Sequence, residues 1–407
     1  MANLPSQFIE QTRQLMGDER FERYLLSFEE PAPVSIRLNP RKAADMVPVD
    51  GEPVPWCKDG YYLSQRPNFT MDPLLHAGCY YVQEAASMFL DHVLAAVALR
   101  ATLTALDLCA APGGKSTLLR AALPEDCVLF SNEPVRQRAC ILAENVEKWG
   151  GRNHVVTNLY PRDYRKAKAR FDVILCDVPC SGEGMFRKDP ATIREWSPQN
   201  VDKCAALQRE IVSDAWQCLN DGGLLIYSTC TFNTKENEEN IRWILSEYDA
   251  EVLDVETKPE WHITGSLLEG FQEPVYRFIP GISRGEGLFM CVLRKGRTSL
   301  LRADNSHPGN KKFPPWEPNI PTLGINGQPG APFSVELSYQ QAIAYLRGEA
   351  LVLPDDTPRG VVDVAFMGHP LGQAKNIGTR ANNLYPKPWR IKTTHTANEY
   401  EPILIKI

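Results

Sequence analysis

From about His76 onward, short apolar runs alternate with longer segments whose apolar residues recur every three or four positions. Such alternation marks βαβ units and commits the middle of the chain to an α/β fold with a mainly parallel sheet. The pattern predicts strands at Ala105-Leu-Asp-Leu-Cys109, Val128-Leu-Phe-Ser-Asn132, His154-Val-Val-Thr157, Phe171-Asp-Val-Ile-Leu-Cys176 and Leu224-Leu-Ile-Tyr-Ser228. Helices are expected over Val135 to Trp149 and Val201 to Leu219, and a last pair of strands around Leu288-Phe-Met-Cys-Val-Leu293 closes the sheet. Open α/β sheets bind ligands beyond the carboxyl ends of their strands, so the residues standing there are the ones to weigh.

The flanks read differently. A helix is expected from about Asn3 to Tyr24, then a strand in Val34-Ser-Ile-Arg-Leu-Asn-Pro40, then turn residues to Pro73, which makes a small α+β domain of residues 1–75. The α/β unit follows at 76–298. A Pro-, Gly- and Asn-rich segment at 299–332, including Phe313-Pro-Pro-Trp-Glu-Pro-Asn319, reads as a linker. Residues 333–407 form a third small domain, with a helix over Ser338 to Arg347 and a strand over Gly360 to Phe366. No apolar run reaches the roughly 18 to 20 residues of a membrane helix, and the start lacks the regions of a signal peptide, so a cytoplasmic protein is expected.

Eleven cysteines show neither CxxC pairs nor accompanying histidines, which argues against a disulfide framework or a metal site. Cys79, Cys127, Cys140, Cys204, Cys218 and Cys291 lie in apolar segments and are expected to pack as small buried residues. A net charge of −6 argues against indiscriminate coating of nucleic acid, so any RNA contact must be local. From Leu371 to Lys392 the chain carries Lys375, Arg380, Lys387, Arg390 and Lys392 with no acidic residue, interleaved with Tyr385 and Trp389. Cations with planar rings are the composition of a nucleic-acid surface.

The first predicted strand of the α/β unit runs into Cys109-Ala110-Ala111-Pro112-Gly113-Gly114-Lys115-Ser116, small residues where backbone must approach a ligand closely. A phosphate-binding loop would need glycine at the position of Cys109, and the spacing does not match GxGxxG. Glu133 ends the next strand, where a carboxylate can bind the ribose hydroxyls of an adenosine cofactor. Without a phosphate cradle, S-adenosylmethionine is favoured over NAD or ATP.

Two thiols stand at strand ends, Cys180 in Asp177-Val-Pro-Cys180 and Cys230 in Ser228-Thr-Cys230-Thr. Carbon 5 of cytosine is a poor nucleophile, and thiolate addition to carbon 6 makes it a good one, so paired thiols beside a methyl donor suit cytosine methylation. Asp177 can face the base or the cofactor's amino group, and Lys115 and Asp177 can orient each other. Residue chemistry alone permits either thiol to attack.

The segments Cys109-Ala-Ala-Pro-Gly-Gly-Lys-Ser116, Asp177-Val-Pro-Cys-Ser-Gly-Glu-Gly184 with Met-Phe-Arg-Lys-Asp189, and Ser228-Thr-Cys-Thr-Phe-Asn233 with Glu236-Asn-Glu-Glu-Asn240 resemble the Nop/Sun family of RNA cytosine-5 methyltransferases. Gly78-Cys-Tyr-Tyr-Val-Gln-Glu-Ala-Ala-Ser87 and Val34 to Pro40 are similar to that family's amino-terminal region, and Gly368 to Lys375 with Asn383 to Pro386 are similar to the PUA-like RNA-binding domain of its bacterial ribosomal RNA members. The resemblance implies a Rossmann-like S-adenosylmethionine-dependent core, an RNA-binding amino-terminal domain and small-subunit ribosomal RNA as substrate. It also implies that Cys230 attacks and Cys180 assists release. The family's adenine-contacting acid after the third strand is here either replaced by Asn158 or displaced to Asp163. Other readings are a transfer RNA cytosine-5 methyltransferase, an amino-group methyltransferase and a catalytically silent RNA-binding assembly factor.

Overall fold

The computed structural model describes residues 4–97, 103–296, 322–325, 333–393 and 399–407. Its centre is a nine-stranded sheet. Thr104–Asp107, Val128–Asn132 and His154–Thr157 step outward in parallel on one side, and the chain then returns to lay Phe171–Asp177 and Leu219–Thr229 on the other side of Thr104–Asp107. Strand order therefore reverses between Thr104–Asp107 and Phe171–Asp177, and that switch point opens the crevice used below. Leu288–Lys295 pairs antiparallel with Leu219–Thr229, and Tyr276–Phe278 and Ala250–Val252 pair with it in turn. Within the segment expected as a linker, Thr322–Ile325 adds an antiparallel strand to His154–Thr157, and the remainder lies outside the described residues.

The central strands are continuous apolar runs because helices cover both faces. In Phe171–Asp177, Val173 and Leu175 enter one core with Phe89 and Leu118, while Ile174 and Cys176 enter the opposite core with Ile211 and Ala215. The helix Arg136–Trp149 buries Ala139, Leu142, Val146 and Trp149 at helical spacing. That leaves Cys140 on the outward face and exposed, contrary to the expectation that it packs inside; Cys204 is half-buried, and Cys79, Cys127, Cys218 and Cys291 are buried as expected.

At the amino end the expected single helix is two, Ser6–Met16 and Asp18–Leu26, broken at Gly17, whose φ of 77° few other residues adopt. Val34–Leu38 sits between Gly60–Leu63 and Tyr80–Val82 in a four-stranded sheet. The carboxyl-terminal segment has its own four-stranded sheet and the helix Tyr339–Arg347, started by a capping box in which Ser338 Oγ accepts the Gln341 N–H and Gln341 Oε1 accepts the Ser338 N–H. These outer segments share one core: Ile36, Leu38, Leu74 and Tyr80 pack with Ile343, Leu346, Leu371 and Leu404. Leu404–Lys406 pairs with Met46–Pro48, and the Tyr400 hydroxyl donates to Asp72 Oδ1 at 3.2 Å. Among the described residues no helix is long and apolar enough to cross a membrane.

Candidate active site

Register brings the catalytic candidates to one level. In the parallel pair Phe171–Asp177 and Leu219–Thr229, Ser228 lies opposite Asp177, so both side chains emerge together at the carboxyl ends. Ser228 Oγ donates to Asp177 Oδ1 at 2.6 Å, and Lys115 Nζ, from the first turn of the helix Gly114–Ala122, donates to Asp177 Oδ2 at 2.8 Å. Burial alone would depress the Lys115 ammonium, but the Asp177 carboxylate outweighs it and holds the lysine above its ordinary value.

The two thiols meet directly, with Sγ atoms 3.2 Å apart, well beyond the roughly 2.05 Å of a disulfide. The hydrogen bond to Cys230, then burial, push the Cys180 thiol well above the ordinary cysteine range, so it keeps its proton. The Gly184 N–H donates to the Cys230 carbonyl at 2.9 Å, locking the two catalytic loops together. Gly184 must be glycine here, because an added Cβ would lie 2.6 Å from Gly287 Cα.

Sequence reasoning missed the scaffold behind these thiols. Glu183 accepts the backbone N–H groups of Phe232 and Asn233 at 2.7 and 2.9 Å and the Trp196 indole at 2.9 Å. Glu236 accepts the Ser181 N–H at 3.0 Å, Gln208 Nε2 at 2.7 Å and Asn233 Nδ2 at 2.8 Å. Glu238 forms a fully buried pair with Arg277, whose Nη1 donates to the Phe232 carbonyl at 2.8 Å. The run Glu236-Asn-Glu-Glu-Asn240 looks like a solvated stretch, yet Glu236, Asn237, Glu238 and Asn240 are buried. Its signal was the exact juxtaposition of acids and amides directly after a thiol turn, a pattern that only contacts can interpret.

A crevice of about 520 Å³ runs from Leu108, Cys109 and Ala111 past Glu133 and Tyr160 to Asp177, Cys180 and Cys230. That volume is ample for an adenosine-type ligand. Gly113, at a φ of 118°, turns the chain into the helix, and Cys109 to Gly114 leave little side chain at the crevice's end. Glu133 is almost fully buried yet lines the crevice; Oε1 accepts the Val135 N–H at 2.9 Å and Oε2 lies 3.3 Å from Arg138. A carboxylate at the end of the second strand, backbone bared by small residues and a nearby Lys–Asp pair together fit S-adenosylmethionine. Neither candidate for the adenine contact lines this space. Asn158 Nδ2 is spent on the Glu133 and Pro134 carbonyls at 2.7 and 2.9 Å, and Asp163 Oδ2 accepts the Tyr160 N–H at 3.0 Å. Tyr160, Pro161 and Arg162 stand at the crevice instead.

On the carboxyl-terminal segment Lys375, Arg380, Lys387 and Lys392 are exposed, while Arg390 is half-buried against Gly348. Tyr385 cannot serve as the stacking ring the composition suggested, because it is only 3 % exposed within the shared core. Trp389 packs toward the catalytic unit, under Lys148 Nζ at 5.4 Å.

A doubly wound sheet whose switch-point crevice joins a bared glycine turn to a Lys–Asp pair defines an S-adenosylmethionine-dependent methyltransferase. Solved structures agree on the fold: a methyltransferase homolog from Pyrococcus horikoshii aligns with a TM-score of 0.61 at 26 % identity, over 72 % of this chain and 96 % of that one. NSun6 from the same organism, solved with SFG, aligns at 0.60 with 18 % identity over 72 % and 99 %. Residues 94–294 match the model for the 16S rRNA methyltransferase RsmB/F, residues 4–85 the N-terminal domain of 16S rRNA methyltransferase RsmF, and residues 332–391 the methyltransferase RsmF PUA domain. Ribosomal RNA small subunit methyltransferase F of Escherichia coli is 30 % identical over 94 % of this chain and 96 % of its own length, and that of Pectobacterium atrosepticum 33 % over 72 % and 63 %. The chain belongs to the RsmB/F family of ribosomal RNA methyltransferases.

Proposed function

We propose that this protein methylates carbon 5 of a cytosine in small-subunit ribosomal RNA, through a transient bond between Cys230 and carbon 6. The juxtaposition of Cys180 and Cys230 at 3.2 Å, beside the Lys115–Asp177 pair, carries this reading. When bound, S-adenosylmethionine supplies an electrophilic methyl group; Glu133, the backbone of Cys109, Ala110, Ala111, Pro112, Gly113 and Gly114, and Asp177 hold it.

The likeness of Ser228-Thr-Cys230-Thr to the family's Thr-Cys motif supports Cys230 as the attacking atom, and Cys180 Sγ, 3.2 Å away, is within hydrogen-bonding reach of it. Attack by the Cys230 thiolate, its proton having passed to solvent in the crevice, forms the sulfur–carbon 6 bond and breaks the 5,6 double bond, leaving negative charge on the ring that the Lys115 ammonium, held in place by Asp177, stabilises. Once carbon 5 carries the methyl group, its proton leaves to solvent water in the crevice, and the freed electron pair re-forms the double bond as the carbon–sulfur bond breaks and Cys230 departs as thiolate. Cys180, hydrogen-bonded to the departing sulfur, assists that release. An amino-group methyltransferase would have no use for either thiol. A target base must leave its stack to reach the crevice, so the exposed Lys375, Arg380 and Lys387, with Arg390 behind them, bind RNA away from the target.

The test is product analysis. Small-subunit ribosomal RNA incubated with the protein and methyl-labelled S-adenosylmethionine should yield labelled 5-methylcytidine by nucleoside mass spectrometry; label in N-methylated adenosine or guanosine, or no label, contradicts the proposal.

A further inference from the structure

Away from the thiol crevice, a groove of about 890 Å³ separates the amino-terminal sheet from the catalytic loop. Ser35, Tyr62, Val82 and Gln83 line one wall, and Arg187 and Lys188 come from the other. Arg66, Lys188 and Arg284 are exposed around it; Arg284 stacks on the Tyr62 ring and pairs with Glu52, while Arg66 and Lys188 form no ion pair among the described residues. Its acid, Glu84, is turned onto the backbone N–H groups of Ala86, Ser87 and Glu286.

Two lining side chains carry donors without acceptors. Gln83 is 6 % exposed; Arg37 Nε donates to its Oε1 at 2.8 Å, which fixes the amide, and its Nε2 has no partner. The Arg187 side chain is 7 % exposed and its Nε also has no partner, although Nη2 donates to the Glu30 carbonyl and Nη1 lies 3.7 Å from Glu286. A buried donor left unpaired costs about 1–3 kcal/mol, so the two point to a ligand rich in acceptors.

The groove adjoins the site already described at both ends. Gln83 lies 3.6 Å from a Cβ built on Gly114, next to Lys115, and Arg187 follows directly on the turn whose Gly184 holds Cys230. We propose that this groove takes the phosphodiester backbone of the single-stranded RNA that carries the target base, with Gln83 and Arg187 as its inner donors and Arg66, Lys188 and Arg284 as its outer cations. The inference rests on the RNA-methylating reading above and specifies where the strand enters.

The test uses the full chain, a small-subunit ribosomal RNA transcript and the exposed variant pair Arg66→Glu and Lys188→Glu. RNA affinity measured against salt should fall at least tenfold, and the slope of log affinity against log salt should become shallower by about 1.4, because each of the two lost contacts to a single strand removes roughly 0.7. Crosslinking of a 4-thiouridine-substituted transcript to wild type should map to peptides around residues 62–66 and 182–188. Unchanged affinity and slope in the double variant, with its thermal unfolding and S-adenosylmethionine binding intact, overturn the groove assignment. Those outcomes are separable from failure of the underlying reading, which shows as absence of labelled 5-methylcytidine with the wild-type protein.

Discussion

At the residue scale, each side chain of the crevice acts through another. Asp177 is aimed by Lys115 and Ser228 at 2.8 and 2.6 Å, so Lys115→Met should leave the protein folded while lowering turnover about 10²- to 10³-fold, as removal of a charge-stabilising donor does. Single-turnover methylation checks this, and near-normal turnover contradicts the pair's role. Deeper in, burial pushes the Asp107 carboxyl up to about 7 despite the Ser116 hydroxyl that donates to it. Its folded value exceeds the unfolded value of about 3.9, so its contribution to stability is complete below that value and is lost as pH rises through about 7. Urea midpoints should decline between about pH 4 and 7, and Asp107→Asn should show a shallower decline; an identical profile in the variant sinks the assignment.

At the scale of elements, the strands of the α/β unit were legible because fully buried parallel strands are continuous apolar runs with few alternatives. Val128–Asn132 and His154–Thr157 fall where expected, and Leu219–Thr229 is longer than its apolar part because Leu219 still pairs with Phe171 across an irregularity. The placement of Cys109, Cys180, Cys230, Glu133 and Asp177 was also legible, since each stands at or just beyond a strand end, with Lys115 in the first turn of the helix that follows. What composition could not show was orientation: Tyr385 lies inside a core, and Asn158 holds the turn after Glu133. Nor could it show that the acids after Cys230 face inward. The Glu238–Arg277 pair is buried at both ends, so Glu238→Gln should destabilise the fold by about 3–5 kcal/mol by stranding the guanidinium. Denaturant unfolding measures it, and a loss below about 1 kcal/mol would show that the pair does not hold the loop.

For the whole molecule, the feature that sequence order conceals is that the first and last segments share a core. Residues of the two are separated by hundreds of positions, and no local pattern links Met46–Pro48 to Leu404–Lys406. The carboxyl-terminal segment is therefore a structural partner of the amino-terminal one as well as the bearer of the proposed RNA surface. Deleting residues 333–407 should lower the unfolding temperature and expose apolar surface to a hydrophobic dye, beyond any loss of RNA affinity. An unaltered melting profile after truncation would mean that the shared core contributes little.

The central claim is that Cys230 bonds to the pyrimidine and Cys180 releases it. Denaturing electrophoresis of protein incubated with labelled small-subunit ribosomal RNA and S-adenosylmethionine measures this directly. Cys180→Ala should accumulate a covalent protein–RNA species during turnover and Cys230→Ala should form none; an undiminished adduct in the Cys230 variant would contradict the account.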